Sequence, residues 1–307
     1  MHPGRRSWTA VAVLVLVAVI GAMCWARPLT VFGWFSRTQM YWIGARSHYT
    51  AVNGFRIHYY ALGPENGPVI VLVHGLGGRA EDWEKLAPYL SKAGYRVYLP
   101  DLPGFGDSER PKDFSYSVTD QANVVIGFFD ALGLKRVDLG GWSMGGWIVQ
   151  LFAVYHPERV RRLMLFDSAG LYMRPDWDTR LLTPVSAADI ETLDRLLMPH
   201  PPQLPDFVAR DILRVSREHA WIMHRSIDKM LLGHETTDKL LPSLKMPVLI
   251  VWGELDQITP LSEGETIHQL IPQSQMHVVA GCGHLAPNEC AGQLGPPTVS
   301  FLEQRIH

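Results

Sequence analysis

The chain has 307 residues, of which 47% are hydrophobic and 19% charged, and 28 Lys and Arg against 30 Asp and Glu give a formal net charge of −2. Without a basic excess it lacks the clustered cations that hold a phosphate backbone, so no nucleic acid partner is expected. The ordinary hydrophobic fraction excludes disordered and fibrous proteins, and three cysteines are too few for a disulfide scaffold.

The first element predicted along the chain is a membrane helix over Trp8–Ala26, a segment without a charged residue. At about 1.5 Å per residue, a helix of this length reaches roughly 28 Å, close to the hydrocarbon thickness of a bilayer. We therefore predict a single-pass N-terminal anchor and a membrane location. Arg5 and Arg6 precede the segment as they would in a secretory signal, so secretion after cleavage is the alternative. The positive charges before the segment favour an N-terminus inside and an exported domain.

Residues 27–43 are rich in aromatic side chains, including Trp34, Phe35, Tyr41 and Trp42. Amphipathic aromatic residues are typical of the membrane interface, although the same stretch could be an arm that packs on the core. Residues 1–48 are therefore predicted to form the membrane anchor and interfacial segment.

The rest of the chain alternates between predicted strands and segments of helical length. The predicted strands are Phe55–Ala61, Val69–Val73, Arg96–Leu99, Val137–Leu139, Leu163–Phe166, Val248–Trp252 and Met276–Val279. Most of these strands are continuous apolar runs, which indicate a sheet covered on both faces and hence a mostly parallel α/β fold flanked by helices.

One interval, residues 172–245, contains no convincing strand. Helix-like patches lie at Ala187–Leu197, Pro205–Val215 and Ala220–Leu232, and a structureless loop of this length would be unusual. We predict a helical cap over residues 172–245, inserted into a core formed by residues 49–171 and 246–307. The apolar side chains of the cap are expected to shape a substrate pocket.

A serine lies at a predicted strand-to-helix turn. Gly141-Trp142-Ser143-Met144-Gly145 comes directly after the strand Val137–Leu139 and before a segment, Trp147–Tyr155, predicted to be an amphipathic helix. Small residues on both sides of a serine allow the tight turn that exposes its hydroxyl. Ser143 is therefore the candidate nucleophile.

A serine nucleophile needs a base and an acid that orients the base, and the late part of the chain contains both. Asp256 follows the strand Val248–Trp252, and His284 follows the strand Met276–Val279. The carboxyl ends of parallel strands share one edge of the sheet, so these side chains can converge on Ser143. Glu254 and, more seriously, Asp167 after Leu163–Phe166 are rival acids, but Asp256 is the prediction.

The developing negative charge of the reaction needs hydrogen-bond donors. His74-Gly75-Leu76-Gly77-Gly78 follows the strand Val69–Val73, and we expect the backbone N–H groups of Leu76 and Met144 to form the oxyanion hole. His74 is interpreted as a structural hydrogen-bonding residue. We expect the turn 101–108 to lie near the site, and we predict no catalytic role for Asp107 or Ser108.

With these motifs in order, residues 49–307 resemble the α/β-hydrolase family. The resemblance rests on HGLGG at 74–78, DLPGFGDS at 101–108, GWSMGG at 141–146, GELDQITP at 253–260 and GCGHLAPNE at 281–289. The N-terminal segment and the helical cap make the chain similar to the membrane-anchored monoacylglycerol lipase and esterase branch. Serine at position 143 departs from the haloalkane dehalogenase and epoxide hydrolase branches, which carry aspartate there.

The resemblance implies a serine esterase or lipase that cleaves carboxylic esters, monoacylglycerols or other lipid-like esters through an acyl-enzyme, with no metal and no organic cofactor. The expected partners are this small-molecule substrate and the membrane, and the sequence specifies no oligomeric state. Serine-triad carbon–carbon bond hydrolases and perhydrolases share the motifs and stay open, as does a noncatalytic membrane-tethered binding protein. Cys282 and Cys290 could indicate redox control, but ordinary buried cysteines are the expectation.

Overall fold

A computed structural model of the protein describes residues 4–172 and 174–305, with side chains from Val11 onward. Its centre is a sheet of eight strands in the order β1-β2-β4-β3-β5-β6-β7-β8. The strands are β1 (Arg46–Val52), β2 (Phe55–Leu62), β3 (Val69–Val73), β4 (Arg96–Pro100), β5 (Val137–Trp142), β6 (Val160–Phe166), β7 (Val248–Gly253) and β8 (Gln275–Val279). β2 runs antiparallel to both β1 and β4, and all the other pairs are parallel.

Ten α-helices lie among the described residues, and several of them cover the two faces of this sheet. The ten are α1 (Gly4–Ala26), α2 (Pro28–Trp42), α3 (Ala87–Lys92), α4 (Val118–Ala131), α5 (Met144–Tyr155), α6 (Ala187–Leu197), α7 (Asp206–Leu231), α8 (Leu261–Leu270), α9 (Ala286–Glu289) and α10 (Ala291–Glu303). Successive strand side chains point to opposite faces, so Val71 packs in the cluster that contains α4 and α5, while Leu72 packs in the cluster that contains α3 and α10. Burial on both faces explains why the central strands are continuously apolar.

Two predictions about the sheet region are wrong. The strand β1 was not predicted, and it starts at Arg46 inside the segment assigned to the N-terminal arm. Most of its residues are exposed at the edge of the sheet, so its sequence has no apolar alternation to reveal it. The helix α5 is not amphipathic, because every residue from Met144 to Ala153 is buried between the sheet and its neighbours.

Between β6 and β7 the described residues form helices and loops, with no strand, as predicted. The patch Ala187–Leu197 is α6, which Ser186 caps by accepting a hydrogen bond from the backbone N–H of Asp189 at 3.2 Å. The other two predicted patches are wrong as separate helices, because they form the single helix α7 of 26 residues. The residues between them, 216–219, are all polar and interrupt the apolar pattern, but Ser216 and His219 are half-buried and continue the packed side of the helix.

The N-terminal part consists of two helices that meet at Arg27 and are bent by 107°. Among the described side chains, no helix alone combines the length and the apolar composition needed to cross a membrane. Val11–Ala26 and Pro28–Trp42 meet those criteria only as a bent pair. The predicted span began at Trp8, and its first three side chains lie outside the described residues, as do those of Arg5 and Arg6.

The helix α2 packs on the folded body along one side. Gly33, Ser36 and Met40 are buried there, and the guanidinium of Arg37 forms a two-point ion pair with Asp107. Its other side exposes large aromatic side chains, namely Phe32, Trp34, Phe35, Tyr41 and Trp42, each at least 50% exposed. The stretch therefore has both of the features considered from the sequence, a packing side and an aromatic surface.

Candidate active site

The strained backbone of Ser143 places its hydroxyl at the top of the sheet. Ser143 lies between β5 and α5 at φ 55° and ψ −123°, a region that non-glycine residues rarely adopt. Its backbone N–H donates to the carbonyl of Phe166 at 3.0 Å. A Cβ on Gly141 would lie 2.2 Å from the carbonyl oxygen of Gly145, so only glycine permits this close turn.

Ser143, His284 and Asp256 are joined by two hydrogen bonds. The Oγ of Ser143 lies 2.9 Å from Nε2 of His284, and Nδ1 of His284 lies 2.7 Å from Oδ2 of Asp256. Nδ1 then carries the proton donated to the carboxylate, which leaves Nε2 free to accept the serine proton. The structure thus brings together the three side chains that the sequence placed far apart.

Asp256 is buried and surrounded by hydrogen-bond donors. Its Oδ1 accepts from the backbone N–H groups of Ile258 and Thr259 at 2.8 and 3.0 Å, and its Oδ2 also accepts from the Thr259 hydroxyl at 2.8 Å. These bonds hold the carboxylate with its Oδ2 toward Nδ1 of His284. Sequence reasoning missed Thr259, although its position three residues after an acid at a strand end is typical of a side chain that closes such a turn.

The loop after β3 lies directly against the nucleophile. A Cβ on Gly75 would be 3.1 Å from Cβ of Ser143, and Leu76 is the next residue. Within the described part of the chain, the backbone N–H groups of Leu76 and Met144 have no hydrogen-bond acceptor. Both N–H groups are therefore free to receive a negatively charged oxygen beside Ser143.

Buried polar residues hold that loop in place. His74 is fully buried, its Nδ1–H donates to the carbonyl of Gly75 at 2.7 Å, and its Nε2 accepts from the backbone N–H of Leu102 at 3.0 Å. Burial lowers the pKa of His74, which favours the neutral ring that these two bonds require. His74 therefore has the hydrogen-bonding surroundings of a structural residue.

Asp101 ties the same loop to β2. One carboxylate oxygen accepts from the backbone N–H of Ala80 at 2.6 Å, and the other lies 2.7 Å from Nδ1 of His58. Sequence reasoning missed His58, because a lone histidine in an apolar strand is not distinctive. Ser108 completes the contact, since its hydroxyl donates to the Asp101 carbonyl and accepts from the backbone N–H of His58.

The rival acids have other contacts. Glu254 is exposed and accepts a hydrogen bond from the backbone N–H of Gly281 at 3.0 Å, which fixes the turn before His284. Asp167 is fully buried and accepts from the backbone N–H of Gly253 at 2.6 Å. Among the described carboxylates, Asp256 is the one within hydrogen-bonding distance of His284.

The expectation of ordinary buried cysteines is wrong, because Cys282 and Cys290 form a disulfide. The bond brackets His284 and joins the loop after β8 to the start of α10. The disulfide could not be predicted from the sequence. Two cysteines eight residues apart need not come within bonding distance in the folded chain.

The region between β6 and β7 touches both candidate loops. The backbone N–H of His284 donates to the carbonyl of Leu197 at the end of α6 at 2.9 Å. A Cβ on Gly77 would lie 3.6 Å from the methyl carbon of Met223 in α7. The helical segment therefore lies over the site.

Glu263, in the first turn of α8, is a buried acid beside this site. Burial and the charges of Asp256 and Asp238 raise its pKa from 4.5 to about 8. Because this folded-state pKa lies above the unfolded value, the contribution of Glu263 to stability is present below about pH 4.5 and is lost as the pH rises toward about 8.

We therefore expect Glu263→Gln to raise the thermal unfolding midpoint by a few degrees at about pH 8.5 and by much less at about pH 5. Thermal melts at both pH values measure this effect. Glu265→Gln, on the exposed side of the same helix, is the control and should show no such pH dependence. Equal shifts of the Glu263 variant at both pH values would contradict the assignment.

Known proteins resemble this chain in sequence and in fold. A family model for the alpha/beta hydrolase fold matches residues 68–226 and 223–289. The chain belongs to the α/β-hydrolase family. The hydrolase is 30% identical over 256 residues to Lipase 1 of Psychrobacter immobilis, with 77% of each chain covered. It is 31% identical over 269 residues to a 2-hydroxy-6-oxo-6-phenylhexa-2,4-dienoate hydrolase of Burkholderia cepacia, covering 82% of this chain and 92% of that one.

A solved structure extends the likeness to nearly the whole chain. The hydrolase superposes on the crystal structure of a membrane phospholipase A, described as a novel bacterial virulence factor, with a TM-score of 0.82 and 27% identity. The alignment covers 97% of this chain and 98% of that one, so it includes most of the two N-terminal helices.

Proposed function

We propose that the hydrolase cleaves carboxylic esters through an acyl-enzyme on Ser143. One observation carries the proposal, the hydrogen-bonded series Ser143–His284–Asp256 beside two backbone N–H groups without acceptors. A nucleophile, a base, an orienting acid and an oxyanion site are the parts that acyl transfer requires.

In the proposed reaction, Nε2 of His284 takes the hydroxyl proton as Oγ of Ser143 attacks the ester carbonyl carbon. The carbonyl oxygen becomes an oxyanion held by the N–H groups of Leu76 and Met144. The imidazolium, stabilised by Asp256, then gives its proton to the leaving alcohol as the ester C–O bond breaks. Water attacks the acyl-enzyme by the same route, His284 takes the water proton and returns it to Ser143, and the acid is released.

The proposed substrates are lipid-like esters, such as monoacylglycerols. Two relatives support this choice, a lipase and a membrane phospholipase A. The N-terminal helices also contact the cap region, because Trp25 stacks on Phe207 of α7 with ring centroids 5.0 Å apart and the backbone N–H of Leu29 donates to Asp211 at 3.0 Å. An apolar segment fixed to the cap would hold the site where amphiphilic esters concentrate.

We also propose that the N-terminal helices attach the hydrolase to a membrane. The apolar side chains of Val11–Ile20 are about half exposed or more, and the aromatic side of α2 continues this surface. Aromatic side chains beside an apolar helix suit the lipid interface. Secretion after cleavage of α1 is the alternative, and the size of the cell-associated protein distinguishes the two.

The disulfide supports a catalytic domain on the exported side. Disulfides persist in oxidising compartments and are rare in the reducing cytosol. Cys282 lies two residues before His284 and Cys290 six residues after it, so reduction would loosen the loop that carries the proposed base.

Replacing both Cys282 and Cys290 with serine is expected to lower the free energy of unfolding by about 2–3 kcal/mol, the entropy of closing a loop of this size. Chemical denaturation measures the change, and the parent protein should lose the same amount in reducing buffer. Cys24→Ser is the matched control, because Cys24 is a free cysteine on α1. If reducing buffer leaves the parent protein as stable as before, this prediction fails.

Carbon–carbon bond hydrolysis is the second candidate. The likeness to the dienoate hydrolase is as strong as the likeness to the lipase, and a serine triad can serve both reactions. The two functions differ in the bond that breaks, so substrate choice separates them.

In the deciding experiment, the full chain in detergent micelles is assayed against four kinds of substrate in parallel. They are p-nitrophenyl esters of increasing chain length, monoacylglycerols, a phospholipid and a vinylogous diketone acid. Turnover that rises with acyl chain length and extends to monoacylglycerol supports the proposal. Turnover of the diketone alone assigns the second candidate. A protein that neither hydrolyses any ester nor reacts with a fluorophosphonate has a noncatalytic role.

A further inference from the structure

The indole of Trp142 contacts the proposed base at two points. Trp142 is the last residue of β5, directly precedes Ser143, and is buried. Its Nε1–H donates to the backbone carbonyl oxygen of His284 at 2.8 Å. Its ring also lies beside the imidazole, with centroids 5.8 Å apart and an angle of 40° between the ring planes. One side chain therefore contacts both the backbone and the ring of His284.

Distant parts of the chain hold both backbone groups of His284. Its N–H donates to the carbonyl of Leu197 at the end of α6 at 2.9 Å, and its carbonyl accepts from Trp142. His284 itself lies in the loop between β8 and α9, outside both elements. Hydrogen bonds to other elements, rather than a strand or a helix, therefore fix the backbone of this residue.

The strand β5 is a rigid support for this contact. It lies in the middle of the sheet, paired with β3 on one side and β6 on the other, and all of its residues are buried. Ser143 extends from the end of the same strand. Adjacent residues of one strand thus carry the nucleophile and the donor that holds the base, whose Nε2 lies 2.9 Å from Oγ of Ser143.

Burial alone does not explain the hydrogen bond of Trp142. Trp83, in the short turn Ala80–Trp83, is fully buried in the same apolar cluster and packs edge-on against Trp142, with ring centroids 6.5 Å apart. Its Nε1 has no hydrogen-bond partner among the described residues. Since this cluster accommodates an indole N–H without an acceptor, the bond from Trp142 to His284 is more than the satisfaction of a buried donor.

We propose that Trp142 is a positioning residue of the triad, whose indole N–H fixes the His284 backbone so that Nε2 faces the Ser143 hydroxyl. This inference rests on the proposed function. Proton transfer from Oγ to Nε2 requires aligned atoms, and a displacement of about 1 Å can cost about 100-fold in rate. Without the N–H, His284 keeps its bond to Asp256 but gains freedom to move relative to Ser143.

The test removes the N–H and keeps the shape of the side chain. Full-length protein is prepared with benzothienylalanine in place of Trp142, because this tryptophan analogue has a sulfur atom where the indole has its N–H. The matched control carries the same analogue in place of Trp83, whose N–H has no partner to lose. Trp142→Phe and Trp83→Phe form a second pair, since phenylalanine also lacks the N–H.

Two readouts separate positioning from folding. The endpoint of fluorophosphonate labelling counts the folded sites, and its rate reports the alignment of Ser143 with His284. Ester hydrolysis gives kcat and KM. We expect the analogue at position 142 to lower the labelling rate and kcat about tenfold or more, with a parental endpoint and a KM within about twofold of the parent. The analogue at position 83 should change each rate by less than about twofold, and the phenylalanine pair should rank in the same order.

A merely structural Trp142 would instead lower the endpoint, while the remaining sites react at the parental rate, and that result would overturn the proposal. Equal losses at positions 142 and 83, or parental rates at both, would also overturn it. If the unaltered protein neither labels nor hydrolyses any ester, the nucleophile assignment fails and this inference fails with it. A fully active parent whose rates survive the loss of the N–H at position 142 leaves that assignment intact and overturns only the role of Trp142.

Discussion

Ser143→Ala is expected to lower kcat for ester hydrolysis by about 10⁴-fold or more, because the variant lacks the oxygen that would form the acyl-enzyme. The methyl group fits the space of the hydroxymethyl group, and His284 loses one hydrogen bond while it keeps Asp256. The overall fold should therefore survive. Initial rates on a p-nitrophenyl ester measure the loss, and circular dichroism checks the fold.

Ser243→Ala is the matched control for this change. Ser243 is exposed, and its hydroxyl donates only to the carbonyl of Leu240, so the variant should keep the parental rate. Fluorophosphonate labelling should disappear in Ser143→Ala and persist in Ser243→Ala. Parental turnover by the Ser143 variant would show that another group is the nucleophile.

Gly145→Ala is expected to reduce activity about 100-fold and the free energy of unfolding by about 1–3 kcal/mol. A Cβ at this position would lie 2.2 Å from the carbonyl oxygen of Val73 and 2.4 Å from that of His74. Both atoms belong to the backbone of β3 and its loop, which a side-chain rotation cannot move. The start of α5 must therefore shift, and with it the N–H of Met144 relative to that of Leu76.

The control for this glycine is Gly292→Ala on α10, where the nearest atom to an added Cβ is the hydroxyl oxygen of Tyr89 at 3.8 Å. That substitution should leave activity unchanged and stabilise the helix slightly, because alanine is a better helix former. Steady-state kinetics and urea unfolding of both variants give the comparison. A Gly145→Ala enzyme with parental kinetics would mean that the proposed oxyanion site tolerates a displaced α5.

The N-terminal helices are joined to the proposed site through α7. Asp211 near one end of α7 accepts the backbone N–H of Leu29 and pairs with Arg214, while Met223, three turns further along, lies against Gly77 of the loop after β3. One rigid helix thus contacts both the apolar segment and the loop that carries Leu76.

Short-range patterns in the sequence were sufficient to predict much of the fold. The strand Val69–Val73 and the helix Ala187–Leu197 have the predicted bounds, because a continuous apolar run and a capped helix are specified by adjacent residues. The family, the parallel sheet and the serine at the elbow also follow from the sequence. Of the two glycines beside Ser143, Gly141 is required by a contact four residues along the chain, with the carbonyl of Gly145, whereas Gly145 is required by the distant backbone of Val73 and His74.

Tertiary structure decided the features that depend on distant contacts. Asp256 and Asp167 both follow apolar strands, and only the packing of the loops after β7 and β8 brings one of them to His284. The pairing of Cys282 with Cys290, the edge strand β1 and the burial of α5 have the same origin. A residue's neighbours along the chain determine its local conformation, whereas its charge state and its partners depend on side chains that only folding brings close.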